Sequence, residues 1–87
     1  MADRQVTHSG KGENEVITKL CNPGQYWSPR YKDEAINDIE SKTHTYYVQV
    51  QHHRVDIHVV TMPNGEKHLR TDPDGRGKNN LEELPNC

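Results

Sequence analysis

Apolar and polar positions alternate most regularly between Thr45 and Thr71, in the run TYYVQVQHHRVDIHVVTMPNGEKHLRT. Tyr46, Val48 and Val50 alternate with Tyr47 and Gln49, and Val55, Ile57 and Val59 alternate with Asp56 and His58, the period-2 pattern of half-buried strands. Three successive strands are predicted. A four-residue loop over Gln51 to Arg54 would set Val50 against Val55, Val48 against Ile57 and Tyr46 against Val59. For the second hairpin, a two-residue turn on Asn64-Gly65 would place Val59 opposite Arg70. A loop of odd length with a Gly bulge would put Leu69 beside Val59, and this register is preferred because it keeps the apolar faces together.

Outside this meander the pattern thins. Met1 to Asn14 holds one isolated Val and no periodicity, so it reads as a disordered tail ahead of a single domain over residues 15–87. Glu15 to Cys21 is a short strand of ambiguous facing, which suits a strand covered on both faces or an edge strand. Asn22-Pro23-Gly24 breaks the chain. Tyr26 and Trp27 are then expected to close one end of the core. Ser28-Pro29 opens a helix predicted over Pro29 to Glu40, with Ser as N-cap and Pro at the first helical position. Its narrow apolar stripe is Ala35, Ile36 and Ile39, and Asp33, Glu34, Asn37, Asp38 and Glu40 are expected to face water. Asp72-Pro73-Asp74-Gly75 reads as a turn ending the third strand. The run from Asn79 to Pro85 reads as one helical turn docking Leu81 and Leu84. The fold class is α+β: a small three- to four-stranded, mostly antiparallel sheet with one helix on one face and a short C-terminal helical turn.

Composition narrows the functional field. The chain has 87 residues, of which only 30% are hydrophobic, with no Phe and one Trp; its mean hydropathy is -1.12. A domain of this size buries only about 60% of the surface its unfolded chain exposes, so the core is small. Eleven basic and 13 acidic residues give a net charge of -2, mixed along the chain without a basic stripe for nucleic acid. No apolar run reaches the roughly 18 residues of a membrane span, and no signal-peptide pattern opens the chain. The expectation is a soluble cytoplasmic protein with Cys21 and Cys87 reduced.

The residues Glu34-Ala35-Ile36, Tyr46-Tyr47-Val48, His58-Val59-Val60, Leu69-Arg70-Thr71-Asp72, Asp74-Gly75, Asn79-Asn80-Leu81 and Leu84-Pro85-Asn86-Cys87 together resemble the small prokaryotic proteins grouped as domain of unknown function family 3892. The closing pattern L-R-T-x-x-D-G, then N-N-L-x-x-L-P-x-C, is the most specific part, and the likeness covers about the last two thirds of the chain. The resemblance implies a compact α+β domain and no particular activity.

Chemistry must therefore be argued from residues. Asp72, Asp74, Gly77 and Glu83 fall at positions 1, 3, 6 and 12 of an EF-hand-like loop, but Arg76 puts a cation at a ligand position, a strand precedes the loop and Pro85 stops an exiting helix. The calcium reading is declined in favour of a solvated turn. Six His and two Cys raise zinc, yet no paired spacing such as C-x2-C or H-x3-H occurs, and His52-His53 point apart in an extended chain. Cys21 lacks the electropositive setting of a reactive thiol. Gly10-Lys11-Gly12 is no phosphate loop, and no G-x-S-x-G or H-E-x-x-H is present. No cofactor is expected.

The outer face of the sheet remains. The expected registers set Tyr47, His58 and Arg70 in one row, with Gln49, Asp56 and Asp72 in the next and Arg54 beyond. An aromatic ring, an imidazole and a guanidinium at cross-strand spacing could meet a base, a phosphate or a partner peptide. Such residues are also ordinary on the wet side of an antiparallel sheet, and Arg70 could instead fasten the Asp72–Gly75 turn by pairing with Asp72 or Asp74. The reading is a non-enzymatic binding or interaction module using the sheet face or an edge strand, with a protein partner ahead of nucleic acid, as a monomer or weak homodimer. The alternative is a small enzyme or subunit whose site is completed by a partner or dimer mate.

Overall fold

A computed structural model describes residues 2–13, 16–71 and 80–87. In chain order the elements are β1 (Ala2–Gln5), β2 (His8–Lys11), β3 (Ile17–Cys21), β4 (Arg30–Tyr31), α1 (Lys32–Glu40), β5 (His44–Val50), β6 (His53–Asp56), β7 (His58–Thr61), β8 (Lys67–Arg70) and a 3-10 turn (Asn80–Glu83). The strands form three small sheets, β1-β5-β6, β2-β3-β4 and β7-β8. The α+β class with mostly antiparallel pairing and one helix holds, whereas the single sheet expected from the sequence does not.

Two features divide the sheet. First, the segment read as a disordered tail supplies two strands: β1 runs parallel to β5, with Ala2 beside His44 and Gln5 beside Tyr47, and β2 runs antiparallel to β3. This segment is held by paired polar groups as much as by apolar burial. Val6 and Ser9 are buried, and the Ser9 hydroxyl donates to the Leu81 carbonyl at 2.5 Å. Second, the strand predicted through Val55 to Val59 breaks at Ile57, so that β6 stays with β5 while β7 leaves to pair with β8.

The first hairpin is tighter than expected. Val50 pairs with His53 and Val48 with Val55, which leaves a two-residue turn on Gln51 and His52, both with positive φ of 45° and 71°. The register shifts by two residues, and an even shift leaves every side chain on its predicted face. In the second hairpin Val59 pairs with Leu69 and His58 with Arg70. Gly65 takes φ 90° in the bulged odd-length loop preferred from the sequence.

The helix begins at Lys32 rather than Pro29. Ser28 does not cap it: the Ser28 hydroxyl accepts the Asn22 amide at 2.9 Å and closes the preceding loop, while Arg30 and Tyr31 pair with Leu20 and Lys19 of β3. Ala35 and Ile36 are buried as predicted, with Ile39 packed beside them. Asp38, expected in water, is buried too.

The core joins Val6, Ile17, Leu20, Ala35, Ile36, Tyr46, Val48, Ile57, Leu69 and Leu81, with Trp27 and Leu84 against it. Leu20 and Cys21, on opposite faces of β3, are both buried, so its ambiguous facing reflects cover on both sides. Tyr26 does not close the core; it is 87% exposed. Cys21 and Cys87 form a disulfide with Cα atoms 6.5 Å apart, against the expectation of free thiols. The C-terminal residues fold back along β2: Ser9 bridges to Asn86, and the Lys11 ammonium donates to the Leu84 carbonyl at 2.8 Å. The Asp72–Gly75 turn and most of the calcium-loop pattern lie outside the described residues.

Candidate functional site

Residues of odd number on β5 point away from the helix, and beside them β6 brings Arg54 and Asp56. Arg54 lies over the Tyr47 ring, 4.4 Å from its centroid, and its fork reaches across β5 to Asp3 of β1, one arm at 2.8 Å. Its Nε donates to Asp56 at 2.9 Å. Thr45 also donates to Asp3 at 2.8 Å. The Arg54 hydrogen bonds hold the Asp3 carboxyl below its usual range, and the two carboxylates raise the Arg54 guanidinium in turn. The pairs are exposed, so their attraction is largely screened.

Of the four residues predicted for this face, Tyr47 and Arg54 are thus in direct contact, and His58 and Arg70 sit opposite one another on β7 and β8. The continuous row of Tyr47, His58 and Arg70 does not form. The tighter first turn puts Asp56, not His58, opposite Tyr47, and the break at Ile57 separates the two sheets.

That break opens a cleft of about 220 Å³ lined by Ile39, Thr45, Tyr46, Arg54, Asp56, Ile57 and His58. Ile39, Tyr46 and Ile57 make part of its lining apolar, and Thr45, Arg54, Asp56 and His58 make the rest polar. Arg54 and His58 of the predicted set line it; Tyr47 and Arg70 do not.

Behind the sheet lies a buried polar cluster that the sequence reading missed. Arg30 grips Asp38 with two hydrogen bonds, Nε to Oδ2 at 2.9 Å and Nη2 to Oδ1 at 3.0 Å. The Tyr46 hydroxyl donates to Asp38 Oδ2 at 2.6 Å and accepts from Arg4 Nη1 at 2.8 Å. The Arg4 guanidinium is 5.5–5.8 Å from the centroids of Tyr26, Trp27 and Tyr46, within reach of cation–π attraction. Its Nε has no hydrogen-bond partner among the described residues. Burial alone would raise the Asp38 pKa, but hydrogen bonds from Arg30 and Tyr46 overcome it and the carboxyl ends below its ordinary range. Burial, reinforced by Asp38, pushes the Tyr46 phenol up. A carboxylate held ionised by two donors and a phenol held neutral are poor proton-transfer groups at neutral pH, and the cluster ties β1, β4, β5 and α1 together. The signal for it was the four-residue spacing of Arg30, Glu34 and Asp38, which would align three charges on one face of the helix predicted over Pro29 to Glu40; in the structure Arg30 lies in β4 and reaches Asp38 from the strand.

Among the described residues no group of three His, Cys, Asp or Glu is placed to hold a metal ion, and no helix is long and apolar enough to cross a membrane.

The family model described as Protein of unknown function (DUF3892) matches residues 5–85. The chain belongs to this family. The DUF3892 match takes in β2 through the 3-10 turn, including Tyr47, Arg54, His58, Arg70 and the whole cleft, and stops short of Asp3, Arg4 and Cys87. No curated protein and no solved structure matches the chain.

Proposed function

We propose that this chain is a non-enzymatic interaction module that takes one side chain of a protein partner into the cleft at Ile57. The observation that carries the reading is the size and lining of the cleft. At about 220 Å³ it falls below the roughly 300–1,000 Å³ of pockets that enclose a free drug-sized ligand, yet its lining is part apolar and part polar, which suits a pocket for an anchoring side chain. The sequence argument for a prokaryotic, cytoplasmic setting belongs to the same proposal. The Cys21–Cys87 bridge weighs against that compartment, since disulfides persist mainly in oxidising ones, and thiol trapping in intact cells decides between them.

The test is selection of random peptides on the folded chain followed by NMR mapping. Selected peptides should shift the amides of Thr45, Asp56, Ile57 and His58, and His58→Ala should weaken them by about tenfold or more. An empty selection, or binders that leave those amides unmoved, would sink the reading.

A further inference from the structure

The open edge of β6 carries a pattern of its own. In the order β1-β5-β6 the outer side of β6 pairs with no other strand among the described residues, and His53, Arg54 and Asp56 on it are exposed. The Ile57 amide donates to the Tyr46 carbonyl at 3.0 Å. Hydrogen-bonded pairs in an antiparallel ladder alternate, so within the register of β5 and β6 the inward-directed backbone groups are those of Ile57, Val55 and His53. The N–H and C=O groups of Arg54 and Asp56 point outward.

We propose that β6 pairs antiparallel with β6 of a second copy of this chain, across a two-fold axis at Val55. The outward groups of Arg54 then bond to Asp56 of the second copy and the reverse, extending the sheet to six strands. Charge selects this register. Moving the axis to Arg54 would set two guanidiniums opposite each other, and moving it to Asp56 would set two carboxylates opposite each other; like charges directly across a ladder repel. At Val55 both cross-strand pairs are Arg with Asp, on the outer face, and the valines meet on the inner one.

Edge strands are often guarded by charge. A guard of one sign would repel a copy in every register, whereas opposite charges two residues apart repel in two registers and attract in the one between. The ladder is short and association is entropically costly, so the dimer is a weak one that forms toward the millimolar range. The same register carries the Gln51–His52 turn of the second copy past Ile57 toward His58. The proposal gives the interaction module a partner for its edge, and it stands or falls separately from the cleft, which is read by peptide binding.

Sedimentation and NMR of the full chain from micromolar to millimolar concentration test it. The wild type should dimerise with shifts centred on β6, and added salt should weaken the dimer. Asp56→Arg and Arg54→Asp should each lower the association constant by at least about tenfold, while an equimolar mixture of the two variants should recover it, because every cross-strand pair becomes opposite in charge again. Asp56→Pro, which removes an outward amide and spares the inward ladder, should abolish dimerisation if Arg54→Asp fails to fold. A chain that stays monomeric at millimolar concentration, a charge-reversed variant that dimerises like the wild type, or folded variants that do not recover on mixing would each overturn the proposal.

Discussion

The Tyr46 hydroxyl donates to Asp38 Oδ2 across 2.6 Å, and this bond connects the central strand of one sheet to the helix through the interior. Tyr46 is 1% exposed and Asp38 3%, so neither group can turn to water if the other is lost. Tyr46→Phe keeps the ring against Trp27 but leaves Arg4 and Asp38 each short of a partner. The expected cost is about 1–3 kcal/mol, read as a lower urea midpoint with an unchanged slope. Asp38→Ala, which removes the buried acceptor of both Arg30 and the Tyr46 hydroxyl, should cost more, about 3–5 kcal/mol.

Stability should fall at both ends of the pH scale through these same two groups. The folded Asp38 pKa lies below its ordinary value of 3.8, so the folded state binds that proton less tightly than the unfolded one. Its contribution is complete above that value and is lost as pH drops through the lower folded pKa. Tyr46 is the mirror case: its pKa is raised from 10.0, so its contribution is complete below that value and is lost as pH rises through the higher folded pKa. Melting temperature against pH should show both limbs. Tyr46→Phe should flatten the alkaline one, and an unchanged alkaline limb in that variant would contradict the assignment.

The disulfide closes a loop spanning 66 residues of sequence separation. Chain-entropy reasoning puts the effect of such a closure at about 4 kcal/mol. Cys87→Ser should lower the unfolding free energy by that order, and reductant should do the same to the wild type while leaving the variant unaffected.

The turn on Gln51 and His52 holds two non-glycine residues at positive φ, a conformation that costs an ordinary side chain about 1–2 kcal/mol. Replacing the pair by Gln51→Asn and His52→Gly should stabilise the protein by about 1 kcal/mol, since Asn-Gly suits a two-residue turn of this hand. No gain in denaturation midpoint would argue for a longer loop and against the register of β5 with β6.

The elements legible in the sequence are those held by apolar alternation. β5, the second hairpin with Val59 beside Leu69, and the helix stripe of Ala35, Ile36 and Ile39 all follow from where water is excluded. β1 was illegible because Arg4 is buried by pairing with Tyr46 and by aromatic faces, and no hydrophobic pattern reports a charge buried among partners 22 to 42 residues away. The Gln51–His52 turn was missed because neither residue is a usual one at positive φ. At the candidate site, strand alternation puts Tyr47 and Arg54 on one face but two rows apart; only the tighter turn, which sets Arg54 opposite Gln49, brings them into contact. Asp3 could not be read there at all, because it arrives on a parallel strand whose partner lies 42 residues further along.

That parallel pairing sets an order of events during synthesis. At roughly 5–20 residues per second, β1 waits about 2–8 seconds after its own emergence before β5 exists to receive it. The later strands β7 and β8, joined by a short loop, can zip locally on the microsecond scale of hairpins. β1 is therefore already waiting when β5 appears, before β6 exists to take its other edge, and Arg4 spends that interval hydrated before Tyr46 arrives to bury it.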